Sequence, residues 1–213
     1  MKLTELNNYF VDEILNESGG LHVFDIDETL FNTNAKILVK NKKGETVRTL
    51  NNQQFNDYVL KGDETYNFDE FRDPHKFRDE SAPISPMIDK IKAIHANIKK
   101  GGHASKIILN TARSDFTDKE PVLQKFRDHE IDIDDMHLHR AGNIEGNHKP
   151  AEKKNVVLRK YLDSGKYDHV YFYDDSETNL KVFGRLRDEY PKIRFEAYLV
   201  THGKARKYKF ENK

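Results

Sequence analysis

Carboxylates, a hydroxyl and basic side chains recur in this chain immediately after short apolar runs. Phe24 is followed by Asp25-Ile26-Asp27-Glu28-Thr29, the run IILN by Thr111-Ala112-Arg113, and the stretch His169 to Tyr173 by Asp174-Asp175-Ser176-Glu177. Lys149, Lys153 and Lys154 stand at the start of the segment leading into the last of these. Four aspartates (Asp25, Asp27, Asp174 and Asp175) gathered in one pocket repel one another and raise one another's pKa values unless a cation neutralises them. An all-oxygen ligand set suits Mg2+, which takes one or two protein carboxylates, keeps several waters and bridges to a substrate phosphate. A phosphoryl group accounts for the remainder, because Thr111 can donate a hydrogen bond to it and a lysine or arginine can balance its charge.

Such residues meet only if the apolar runs are parallel strands whose carboxyl ends open onto one crevice. Leu21 to Ile26 reads as a buried strand. After it the alternation is regular: strand Lys106 to Asn110, helix Glu120 to His129, strand Met136 to His139, helix Ala151 to Leu162, strand His169 to Tyr173, helix Glu177 to Tyr190 and strand Ile193 to Val200. Strands separated by helices predict right-handed crossovers and an α/β, Rossmann-like three-layer sandwich around a mostly parallel sheet. Before it, Thr4 and Asn7, with Leu6, Tyr9, Phe10, Val11, Ile14 and Leu15 at helical spacing, predict an amphipathic helix ending at Gly19-Gly20. Between Phe31 and about Pro83 the rhythm breaks. KILVKNKKGETVRTL (36–50) predicts a hairpin turning at Asn41 to Gly44, Asn52 to Lys61 a helix, and Gly62 to Pro83 an acidic, aromatic, irregular stretch. Ser85-Pro86 then opens a helix with Met87, Ile88, Ile91, Ile94 and Ile98 toward the core, ended by Gly101-Gly102. The basic tail HGKARKYKFENK is expected to be loosely ordered.

At 213 residues the expectation is one domain, 1–213, with a modest insert at about 31–83. Thirteen Phe and ten Tyr supply large apolar bodies that a disordered chain would lack. Lys plus Arg equals Asp plus Glu at 36 each, so net charge selects no polyanionic partner. The absence of cysteine removes disulfides and thiolate zinc sites and suits a reducing compartment. With no signal-peptide pattern and no apolar run near the ~20 residues that span a bilayer, the expectation is a cytoplasmic protein with no membrane and no obligate protein partner.

Each piece alone has an ordinary structural explanation. An Asp-Asp pair after a strand is usually a turn or a helix N-cap, and only its order and spacing with the other pieces make Asp174-Asp175 functional. Ile131-Asp132-Ile133-Asp134-Asp135 follows no buried strand and reads as a solvated loop. His137, His139 and His148 lack the spacing of a zinc motif and read as surface histidines. Lys40, Lys42 and Lys43 read as a solvated hairpin tip. Among the lysines, Lys154 has apolar Val157, Leu158, Tyr161 and Leu162 at the offsets that share its helix face, whereas Lys153 meets Lys160. Lys154 is therefore preferred, with Lys153 and Lys149 left as alternatives.

In this order the stretches resemble the motifs of the haloacid dehalogenase superfamily over most of the chain: D-x-D-x-T as Asp25 to Thr29, the Ser or Thr of the second motif as Thr111, a lysine at a helix start, and the acidic pair Asp174-Asp175. The resemblance implies a Mg2+-dependent phosphatase. In it Asp25 attacks phosphorus and becomes an aspartyl phosphate, while Asp27 protonates the leaving oxygen and then deprotonates water. It further implies Mg2+ held by the Asp25 carboxylate, the Asp27 carbonyl and Asp175, with Asp174 acting through water. The insert is too short for a full helical cap, which implies an open site and a large or end-exposed phosphate, on a nucleotide, another phosphorylated small molecule or a nucleic-acid terminus. Asn-Thr-Ala-Arg is similar to the phosphatase half of polynucleotide kinase-phosphatases, in which Arg113 would bind substrate, and the whole pattern to small phosphatases of tailed phages. No G-x-x-x-x-G-K-[ST] pattern occurs, so no P-loop kinase activity is expected within these residues. Two rivals carry similar residues. A phosphoacceptor signalling module places its acidic pair on the first strand, opposite to the order here, and a non-catalytic nucleic-acid-binding relative would not need Asp25, Asp27, Thr111 and Asp175 intact.

Overall fold

The apolar alternation of Leu21-His22-Val23-Phe24 places Leu21 and Val23 on one face of a strand and Phe24 on the other. The computed structural model, which describes residues 19–101, 104–146 and 148–211, builds its main sheet around that strand. The helix expected from Thr4 to Leu15 lies outside the described residues. In chain order the strands are β1 (Gly19–Phe24), β2 (Phe31–Asn32), β3 (Ile37–Lys40), β4 (Thr46–Leu50), β5 (Thr65–Asn67), β6 (Ala82–Pro83), β7 (Lys106–Thr111), β8 (His137–Arg140), β9 (Tyr167–Asp174), β10 (Arg194–Thr201) and β11 (Lys204–Tyr208). Six of them form the main sheet in the order β11-β10-β9-β1-β7-β8. All neighbours are parallel except β10 and β11.

Both faces are covered. Phe24, Ile107 and Leu109 pack with Met87, Ile88 and Ile91 of helix Ser85–Gly101 and with Val122 and Phe126 of helix Glu120–Asp128. Val23, Ile108 and Phe172 pack on the other side with Leu158 and Leu162 of helix Pro150–Leu162, Leu180 and Phe183 of helix Glu177–Gly184, and Leu186 of helix Leu186–Glu189. Each such buried aliphatic or aromatic side chain contributes about 1.5–3 kcal/mol relative to exposure. The register sets the tips level: Phe24 faces Leu109 on one side and Tyr173 on the other, so Asp25, Thr111 and Asp174 emerge together. No helix among the described residues is long and apolar enough to cross a membrane.

The insert has a small core of its own, Ala35, Ile37, Val39, Leu50 and Phe71. The expected hairpin is present as β3 and β4, turning through Gly44 at φ 80°. The stretch 62–83, expected to be irregular, instead holds β5, which completes a sheet ordered β4-β3-β5, then helices Asp69–Arg72 and Pro74–Glu80, and β6, which pairs with β2 to close the neck. These elements are too short to show a period, and packing of Phe71 and Phe77 rather than local propensity holds them. The helix expected to reach Lys61 stops at Asp57, where Tyr58 turns extended. The helix expected to reach Tyr190 is interrupted at Arg185.

The tail expected to be loose is also ordered. His202 and Gly203 both adopt positive φ, 49° and 73°, and make the tight turn that lets β11 fold back on β10. Lys207 of β11 reaches Glu196 of β10 at 2.9 Å, and the Phe210 ring covers Gly184, where a Cβ would lie 2.6 Å from it.

Candidate active site

Asp25 leaves β1 with its backbone still on the ladder, its N–H donating to the carbonyl of Tyr173 at 2.9 Å. Its carboxylate is buried and accepts from Lys154 Nζ at 2.6 Å, and the same ammonium donates to Asp174 at 2.7 Å. Pro150 starts the lysine helix, and Ala151, Lys154, Leu158 and Leu162 share its inward stripe, which explains why a lysine only 1% exposed sits among apolar side chains. Asn110 of β7 ties that helix to the sheet, its side-chain amide donating to the Lys154 carbonyl at 3.1 Å. Among the described residues Lys153 reaches the carbonyl of Gly142, at 3.5 Å, and Lys149 caps the helix from the surface. The geometry therefore brings Lys154, and neither alternative, onto Asp25.

Asp174 is fully enclosed and heavily bonded. Besides Lys154 it accepts from the Ser176 N–H at 2.9 Å and from the Asn179 amide at 2.9 and 3.1 Å. Asp175 makes no ion pair among the described residues. Carboxylate oxygens of Asp25, Asp174 and Asp175 lie within 4.8 Å of one another. Burial, with the charges of Asp174 and Asp27 added, pushes the Asp25 carboxyl up to about 7 against the pull of Lys154. Burial and the charges of Asp174 and Asp25 likewise hold Asp175 well above the usual carboxylate range. Three carboxylates facing one ammonium leave two negative charges uncompensated when all are ionised. A hard divalent cation with oxygen preference matches both the charge and the donors, so these residues fit Mg2+.

Thr111 is buried at the β7 tip, its hydroxyl oxygen accepting from the Arg113 N–H at 3.2 Å. Arg113 is placed differently from the sequence expectation of a phosphate ligand. Its guanidinium grips the Asp27 carboxylate, with Nε at 2.9 Å and Nη2 at 2.7 Å, and donates from Nη1 to the Phe71 carbonyl at 2.7 Å. Asp27 and Glu28 turn the chain sharply after β1. Glu28 takes φ 57° and accepts the Thr33 N–H on its carboxylate at 3.1 Å.

Asp25, Asp27, Thr111, Lys154 and Asp175 border one cavity of about 820 Å³. The insert gives it an aromatic wall, with Phe55, Tyr66 and Phe68 in edge-to-face contact at 4.9 and 5.5 Å, and Lys149, Lys153 and Arg185 also line it. His148 also borders it, whereas His137 and His139 both meet the Tyr161 hydroxyl, at 2.8 and 2.6 Å. Asp132 and Asp135 are exposed and paired with Lys99 at 2.7 and 2.8 Å. Lys42 reaches Asp63 at 3.9 Å on the exposed hairpin.

Sequence reasoning missed Asn179 and Asn110. Asn179 stands in the first turn of the helix after Asp174-Asp175, so an amide at that offset was the available signal. Asn110 ends the apolar run before Thr111, and no local pattern connects it with the helix that it holds. The fold and site together define an α/β protein with a mostly parallel sheet and a lysine-clamped acidic site at its strand tips. No protein-family model and no curated protein matches the chain.

Proposed function

We propose that this chain is a Mg2+-dependent phosphomonoester hydrolase with the Rossmann-like architecture and catalytic plan of the haloacid dehalogenase superfamily, acting through an aspartyl-phosphate intermediate. The observation that carries the reading is the clamp of one buried ammonium between Asp25 and Asp174, beside the uncompensated Asp175, at the level tips of β1 and β9. Bound there by Asp25 and Asp175, Mg2+ would supply charge neutralisation for the entering phosphoryl group.

Lys154 fixes the Asp25 carboxylate on one oxygen, which leaves the other to attack phosphorus in line. Thr111, whose oxygen already accepts from the chain, has its proton for a phosphoryl oxygen. Asp27, two residues on, gives a proton to the departing alkoxide and later takes one from the water that opens the acyl phosphate. Asp174, held by Asn179 and Ser176, orients the lysine rather than binding the substrate. The size of the cavity, its aromatic wall and the basic residues in its lining support a substrate larger than a bare phosphate ester, a nucleotide or a nucleic-acid end.

The test compares wild type with Asp25→Asn on p-nitrophenyl phosphate, nucleoside monophosphates and 3'- or 5'-phosphorylated oligonucleotides, in Mg2+ and in EDTA. Phosphate release is expected only from wild type with Mg2+. Release by Asp25→Asn at the wild-type rate, or none from wild type on any substrate, sinks the reading.

A further inference from the structure

The side chain of Arg113 borders the cavity under many constraints, and they point away from substrate. It is 3% exposed, although it stands at a strand tip that opens on the cavity. Nε donates to both Asp27 oxygens, at 2.9 and 3.2 Å, and Nη2 donates to Asp27 Oδ1 at 2.7 Å and to Thr33 Oγ1 at 3.2 Å. Nη1 donates to the carbonyl of Phe71 at 2.7 Å. The guanidinium plane is enclosed by aromatic rings, with its carbon 4.8 Å from the centres of Phe71 and Phe77 and 5.8 Å from that of Phe116. A guanidinium has five N–H donors, so these bonds leave at most one for anything else. To grip a phosphate, the side chain would have to release Asp27 and leave a carboxylate unpaired in a largely buried place, a costly exchange.

We propose that Arg113 is a positioning residue. It holds Asp27 at the orientation needed for proton transfer, and through the Phe71 carbonyl it ties that orientation to the insert, which therefore serves as a fixed wall of the site. The proposal rests on the hydrolase reading above. Three features require arginine: a bidentate grip on one carboxylate, a third direction for the carbonyl, and a flat face for Phe71 and Phe77. A lysine ammonium supplies charge without the fork or the plane.

Steady-state kinetics of Arg113→Lys on p-nitrophenyl phosphate and on an alkyl phosphate test it. Proton transfer by a positioned side chain contributes roughly 10²–10⁴-fold, so a misplaced Asp27 should lower kcat about 10–100-fold with KM within about twofold. The loss should be larger on the alkyl phosphate, because p-nitrophenolate departs without being protonated. Placed on Asp27→Asn, Arg113→Lys should add no further loss in phenol release, since the residue acts only through Asp27. A raised KM at unchanged kcat assigns Arg113 to phosphate binding and overturns the proposal, as does an undiminished, multiplicative loss in the double variant. If Arg113→Lys does not fold, as judged by circular dichroism, Thr33→Val carries the test. Removing one anchor of the guanidinium should lower kcat by about 2–5-fold at constant KM, an effect of the size of one neutral hydrogen bond, and kinetics identical to wild type overturn the proposal. Wild type inactive on every phosphate ester would instead refute the hydrolase reading itself.

Discussion

Lys154 concentrates the energetics of the site in a single side chain. Burial alone would drive its ammonium toward neutrality, but Asp174 and Asp25 outweigh that and raise its pKa. Substituting Lys154→Met should abolish turnover and leave two buried carboxylates facing each other, at a cost of about 3–5 kcal/mol. In a chain of this size that lowers Tm by about 10 °C, and Mg2+ should restore more of the loss in the variant than it adds to wild type. Thermal melts with and without Mg2+ check this, and equal melting of variant and wild type would contradict the buried clamp. This lysine was legible beforehand because its helix neighbours Val157, Leu158, Tyr161 and Leu162 marked the inward face. The placement of Arg113 was not, because its partners Asp27 and the Phe71 carbonyl come from distant parts of the chain that no local pattern connects.

Among elements, the segment after β7 is held by a contact that tolerates no side chain. Gly142, in the turn Ala141–Asn143, donates its N–H to the Arg113 carbonyl at 3.2 Å, and a Cβ there would lie 2.5 Å from the carbonyl oxygen of Ala112. Gly142→Ala must push the Thr111 to Arg113 segment out of place, so a loss of about 1–3 kcal/mol in urea denaturation and a reduced kcat are expected together. Unchanged stability would mean that the two segments do not approach so closely. The long elements could be read in advance, since six-residue strands and helices of nine or more residues display their period. Beyond its hairpin and first helix the insert could not, because β2 and β6 have two residues each and are defined by each other. The tail had a readable signal, His202-Gly203 at a turn, but its basic composition hid the strand that follows.

For the molecule as a whole, acid is the condition that tests its far edge. Hydrogen bonds from Lys207, with added help from Tyr198 and the charge of Arg194, hold the Glu196 carboxyl down at about 2 against the effect of burial. A folded-state pKa below the unfolded one adds stability that is complete above about pH 4.5 and is lost as pH falls from there toward 2. Glu196→Gln should flatten the fall of Tm in that window, and an unaltered pH profile would show that the β10–β11 pairing does not depend on this carboxylate.

The central place of β1 has a further consequence, for the order in which the chain is made. Leu21 lies between Lys106 and Val170, so a ribosome releases the apolar strand long before either neighbour exists. Pairings across such separations form slowly, and an unpaired apolar strand invites association with other chains meanwhile. Asp25 meets Lys154 and Asp174 only when the last third of the fold arrives. Interrupted synthesis therefore leaves a sticky fragment that needs sheltering, and no partially competent pocket.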